Sequence, residues 1–277
     1  MIKKRIKTVL NFLSYILPVY LLTFSGTAVV TTVSAKVSEY RESEEVKVTP
    51  DKIEISGNSR VSRETLLIQA DLDRDISYFD IDTEKIKFYI SSNGWVEKCF
   101  VKKIFPDRIK ILIKEYEPVI IVSRLTETGR GYTVDPWFAD KRGYLFKKAH
   151  HREIDITYPV YYAGAVDKVL EKHIRTAVSL AESWKRFEKA HGHLCLLSSI
   201  RFSSSEGFRL SCEFPDGRIA GVSAGYFSEG YESVNDFTSR FFSTADKLDK
   251  KGLWAGNYIF EQNSQGRIIV DNLSKKN

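Results

Sequence analysis

From Thr8 to Ala35 the chain carries no charged residue, a run of 28 positions. A helix rises ~1.5 Å per residue and roughly 20 residues cross the hydrocarbon layer, so this run can span a membrane even when tilted. Pro18 kinks such a helix without ending it. Lys3, Lys4, Arg5 and Lys7 precede the run and Lys36 follows it. That asymmetry predicts a cytoplasmic tail (residues 1–7), a transmembrane helix (8–35) and an extracytoplasmic remainder. Val33-Ser34-Ala35 resembles a signal cleavage site, but the apolar core of a signal peptide is about 7 to 15 residues long, so the length favours a retained anchor.

The anchor also explains the charge. The net balance of +6 comes from 42 basic and 36 acidic residues, and four of the basic ones stand before the apolar run. The remainder is nearly neutral, which argues against a nucleic-acid-binding face. With 43% hydrophobic and 13% aromatic residues the chain can bury a real core. Three cysteines, Cys99, Cys195 and Cys212, imply no disulfide framework. Cys195 and Cys212 fall in two strand-like runs flanking a turn, where they either face each other or serve as buried apolar side chains.

Residues 36–50 are polar with mixed charge and read as a linker. Beyond them, Ile53 and Ile55 alternate with charged residues in a first strand that turns at Gly57-Asn58. Ser62 and Asp82 suit the N-caps of two short helices, with Leu66, Leu67 and Ala70 on the first and Ile86, Tyr89 and Ile90 on the second. Asn93-Gly94 ends the second helix. Residues 94–122, GWVEKCFVKKIFPDRIKILIKEYEPVIIV, read as two strands about a Pro106-Asp107 turn. Ile109, Ile111 and Ile113 share one face of the second strand, and Lys110 and Lys114 the other. The helices cover the apolar face that a lone hairpin would leave bare. The order β-α-α-β-β over residues 51–122 is a small domain.

An anchor followed by this unit resembles a POTRA domain of the FtsQ/DivIB cell-division family. The matching residues are YFDIDTEKI (78–86), Trp95-Val96 before the second strand, Pro106 at the turn, and Glu115 and Pro118 closing the third strand. Residues 123–277 then read as a mixed β-rich domain with two helices. Asp140 and Gly143 occupy the positions of the family's Asp-x-x-Gly strand pair, and YPVYYAG (158–164) is similar to its Pro-containing segment. Val166, Val169, Leu170, Ile174, Ala177, Val178, Ala181 and Trp184 keep to one helical face, and Phe237, Phe241, Ala245 and Leu248 recur through 233–251. Strands are expected at 194–203, 207–214 and 218–224, and the chain ends in a hairpin of residues 254–262 and 266–272. Asn257-Tyr258-Ile259-Phe260-Glu261 departs from the family's Asp-Leu-Arg-Tyr-like strand. The whole is an α+β protein.

No residue pattern supports catalysis. His150, His151, His173, His191 and His193 stand in no metal-binding motif, and no nucleophile elbow, P-loop or dinucleotide fingerprint occurs. His191-Gly192-His193 is more simply a solvated loop. The reading is a non-enzymatic protein with no cofactor, no bound metal, no small-molecule substrate and no nucleic acid. Lys102, Lys103, Lys110 and Lys114 form a strip that binds an acidic partner or merely discourages edge pairing. GRIIVDN (266–272) either completes a core or offers an open edge to an incoming strand. The resemblance favours the second, since it implies binding of FtsB-like and FtsL-like bitopic division proteins through the C-terminal strands, at Tyr258, Phe260, Gly266, Arg267, Ile268, Ile269 and Val270. It implies a scaffold at the division septum, single-pass in the cell inner membrane. An outer-membrane assembly POTRA protein would need barrel strands where residues 166–190 and 233–251 are helical. A membrane-anchored cell-wall hydrolase would need a carboxylate pair or metal site.

Overall fold

The computed structural model describes residue 39 and residues 46–128, 131–154, 158–163, 170–192, 194–227, 231–251, 258–262 and 267–272. The expected membrane helix at 8–35 lies outside them, as do Val166 and Val169. Among the described residues no helix is long and apolar enough to cross a membrane. The chain divides into two compact units, residues 1–115 and 116–277.

In the first unit the elements run β1 (Lys47–Val48), β2 (Ile53–Ser56), α1 (Arg63–Gln69), β3 (Ile76–Ser77), α2 (Thr83–Ser91), β4 (Val96–Ile104) and β5 (Arg108–Glu115). The sheet order is β2-β5-β4, with β2 parallel and β4 antiparallel to the central β5. Alternation in β5 buries Ile109, Ile111 and Ile113, and Leu66, Leu67, Ile86 and Ile90 of the helices are buried with them. Both predicted caps form. Ser62 accepts the Thr65 N–H at 3.2 Å, and Asp82 accepts those of Glu84 and Lys85. Tyr89, expected on the apolar face, is exposed because Ile86 and Ile90 alone point inward.

Three expectations need correction. The fold starts before residue 51: Val46 and Val48 are buried, and β1 pairs with β3, so the linker stops short of residue 46. The turn between β4 and β5 has three residues, Phe105 to Asp107, since Ile104 lies opposite Arg108, and the Phe105–Pro106 peptide is cis. Asp107 reaches Lys52 at 2.8 Å instead of closing a turn on its own backbone. The boundary falls after Glu115 and not after Val122, because the run from Pro118 belongs to the sheet of the second unit.

That sheet has nine strands: β6 (Pro118–Thr128), β7 (Gly131–Asp140), β8 (Leu145–Lys148), β9 (Val160–Ala163), β10 (Leu196–Ser203), β11 (Gly207–Glu213), β12 (Ile219–Gly225), β13 (Tyr258–Gln262) and β14 (Ile268–Asn272). Their order is β14-β13-β12-β11-β10-β9-β6-β7-β8. Helix α3 (Leu170–Ala190) connects the parallel neighbours β9 and β10, and α4 (Tyr231–Lys250) connects β12 and β13. Such crossovers have one hand, so two running the same way place their helices on one face. Accordingly Trp184 of α3 meets Phe241 and Phe242 of α4 at 4.6 and 5.1 Å between ring centroids. The predicted faces Ile174, Ala177, Val178, Ala181 and Trp184, and Phe237, Phe241 and Ala245, are all buried there. Between β7 and β8, buried Asp140 accepts the N–H groups of Arg142 and Tyr144 at 2.9 Å, and Gly143 supplies a φ of +79°.

Glu115 locks the first unit. Its carboxylate accepts the backbone N–H groups of Arg60 and Val61 and the Ser59 hydroxyl at 2.8–3.1 Å, pinning the segment between β2 and α1. The Arg60 guanidinium lies 4.6 Å from the buried Trp95 ring, and Val96 lies opposite Glu115, so three residues of the motif form one cluster. Gly57 permits the approach: with φ +84°, an added Cβ would stand 1.9 Å from the Ile113 carbonyl oxygen. Partial burial raises the Glu115 pKa, but the donors of Val61, Arg60 and Ser59 outweigh it and hold the carboxyl below its ordinary 4.5. A depressed folded-state pKa gives stability that is full above the ordinary value and lost as pH falls through the folded one. Glu115→Gln should therefore destabilise this unit by about 2 kcal/mol at neutral pH. By amide exchange in β5, the gap from wild type should shrink as the buffer is acidified below 4.5.

Candidate functional site

Edges of a sheet carry unpaired N–H and C=O groups, and proteins blunt them with short strands, lysines or ion pairs. The two ends of the nine-stranded sheet differ in this respect. At one end β8 has four residues, with Lys147 held by Glu153 and Lys148 by Asp135, each at 2.5 Å. At the other, β14 has the sequence IIVDN and pairs only with β13 among the described residues. Among the described residues no strand covers its outer side, and β14 itself contains no lysine.

The expected contact residues divide by face. Ile268 and Val270 are half-buried and pack on the core, whereas Ile269 is 49% exposed and Asp271 is exposed. Phe260, opposite Val270, is fully buried with its ring 4.9 Å from that of Phe241. This corrects its expected role: Phe260 anchors the hairpin and is not itself a contact. Tyr258 begins β13 opposite Asn272, and Arg267 is exposed just before β14. Gly266 lies outside the described residues. Asp271 was missed, although alternation from Ile269 identifies it. Of the other motif positions, Pro106 sits at the far end of the first unit's sheet from Trp95, Val96 and Glu115. Pro118 opens β6, the usual place for proline in a strand.

Several histidines and the cysteines elsewhere are packed into the structure. Among the described residues no three His, Cys, Asp or Glu are grouped to hold a metal. The His173 ring lies 3.7 Å from that of Phe202, the His191 ring 5.6 Å from that of Phe242, and His193 is not described. All three cysteines are free and buried. Hydrogen bonding to Cys212 and burial push the Cys195 thiol up, away from the nucleophilic thiolate. A cleft of about 440 Å³ between α3 and β10 contributes one carboxylate, Glu188, to its lining.

Residues 48–116 match the family described as POTRA domain, FtsQ-type, so the first unit is a POTRA domain of that type. Over 225 residues the chain is 24% identical to the cell division protein FtsQ of Syntrophotalea carbinolica, covering 79% of this chain and 72% of that protein. It is 24% identical over 168 residues to the FtsQ of a Geobacter species, covering 58% and 56%. With the FtsQ of Bartonella bacilliformis it shares 32% identity over 91 residues, or 31% of this chain and 30% of that one. The chain thus carries an FtsQ-type POTRA domain and resembles FtsQ cell division proteins beyond it. It spans less than two thirds of the Geobacter and Bartonella relatives.

The geometry makes Phe260 the attachment of the terminal hairpin. Phe260→Ala should cost about 3–5 kcal/mol in the second unit. Urea unfolding followed by Trp184 fluorescence should shift accordingly, while exchange in β5 of the POTRA unit stays unchanged.

Proposed function

We propose that this protein is a bitopic scaffold of the divisome that performs no chemistry and links septal division proteins outside the cell inner membrane. One observation carries the reading: among the described residues β14 ends the large sheet and nothing pairs with its outer side. An extended segment of another chain can add there by β-augmentation, with backbone bonds supplying affinity and side chains such as Ile269 and Asp271 supplying selectivity. The resemblance to FtsQ proteins points to FtsB-like and FtsL-like proteins as the partners. Anchoring to the membrane would confine scaffold and partners to one plane and raise their effective concentration. The POTRA unit would serve localisation.

The test is recruitment in dividing cells together with pull-down of an FtsB-like partner. Deleting residues 266–277 should abolish both while leaving the POTRA unit protease-resistant. Because the deletion also removes the packing of Ile268 and Val270, Ile269→Glu is the sharper variant. It changes an exposed side chain and should weaken partner binding roughly tenfold with no loss of stability. Full recruitment by both variants would contradict the proposal.

A further inference from the structure

Edge protection explains the lysines of the edge strand β4 but not the whole strip. In the POTRA sheet Lys98 lies opposite Lys114 and Lys102 opposite Lys110 on the face away from the helices. Lys110 and Lys114 are on the central strand β5, where no edge needs guarding. Like charges directly opposite are destabilising. Glu54 and Glu97 offset two of them, at 3.0 and 2.7 Å, whereas Lys98, Lys102 and Arg108 have no ion-pair partner among the described residues.

The loop end of this sheet adds apolar surface. Ile104 and Phe105 are 40% and 59% exposed, and Phe79 nearby is 44% exposed. Tyr78 joins them, its ring 5.6 Å from Phe105 and 5.8 Å from Phe79. Lys103 lies over the same ring at 4.4 Å. The described chain also enters at this end: Lys52 donates to the Lys47 carbonyl at 3.5 Å and pairs with Asp107 of the loop. Only residues 36–45 separate the uncharged run from Val46, at most about 35 Å of extended chain. Apolar side chains beside cations form the paired signal that holds a protein at an anionic lipid surface. The acidic groups at this end are Asp107, held by Lys52, Asp51 beside Lys52, and Asp75, Asp80 and Asp82 around the segment bearing Phe79.

We infer that this end of the POTRA unit docks on an anionic phospholipid leaflet, inserting Phe79, Ile104 and Phe105 at headgroup depth with Lys102 and Arg108 on the lipid phosphates. The inference rests on the membrane-anchor reading. A protein partner is the rival occupant of the same face, whose centre carries the exposed pair Phe100 and Leu112, but the short link from the chain-entry end to the uncharged run favours the lipid surface.

The test uses the full chain reconstituted in phosphatidylcholine vesicles with or without phosphatidylglycerol. Phe105→Cys takes an environment-sensitive fluorophore, since the three native cysteines are buried. Spin-labelled phospholipid should quench the label in the anionic vesicles and not in the neutral ones. Lys102→Glu with Arg108→Glu should lower the docked-to-undocked ratio about tenfold. Lys87→Glu, the same kind of change on exposed α2, should leave it unaltered. A label that stays in water in both lipids, or is shielded only when an FtsB-like protein is added, overturns the docking. Release of the protein by alkaline carbonate would overturn the anchor reading and the docking with it, whereas retention with an unquenched label overturns the docking alone.

Discussion

Phe260 is the contact on which the useful end of this molecule depends. A two-stranded hairpin is only marginally stable alone, so β13 and β14 need a side chain sunk into something larger. Phe260 enters the aromatic group of Trp184, Phe241 and Phe242, which also clamps α3 to α4. Because both helices cover the same face, a single core holds the chain from β6 to β14. Strand β14 is thereby held on its inner side, while among the described residues nothing pairs with its outer side. A mobile tail would have to be ordered on binding, at a cost in affinity that a preformed edge avoids.

The POTRA unit illustrates why a family signature need not be a contact surface. Trp95, Val96 and Glu115 come together because a carboxylate that accepts three donors, a ring under a guanidinium and a glycine pressed on a carbonyl jointly pin the segment before α1. These residues hold the domain together. The exposed apolar and basic side chains lie elsewhere, on the lysine-bearing face and at the β4–β5 loop.

The local elements were legible because each has a short-range code. Alternating isoleucines marked β5, Ser62 and Asp82 marked the helix starts, and a helical stripe running to Trp184 marked α3. Long-range arrangement was not. Nothing in Val160–Ala163 states that it lies parallel between β6 and β10, since both partners are distant in sequence. The boundary was misplaced for the same reason: PVIIV continues the strand pattern of β5, yet its pairing is with β7. At the candidate site, the residues alone left open whether IIVDN completes a core or forms an edge, although its strand character was legible. The burial of Phe260 was not, because apolar residues at Phe260 and Ile269 look alike until a register assigns their faces.

Amide hydrogen exchange across residues 268–272 tests the central claim most directly, measured on the full chain with and without an FtsB-like partner segment. An added strand satisfies the outward-facing N–H groups of β14, so alternate amides there should slow by orders of magnitude while those of β8 stay as they were. Unchanged exchange in β14 under saturating partner, or protection confined to the POTRA unit, would contradict the account.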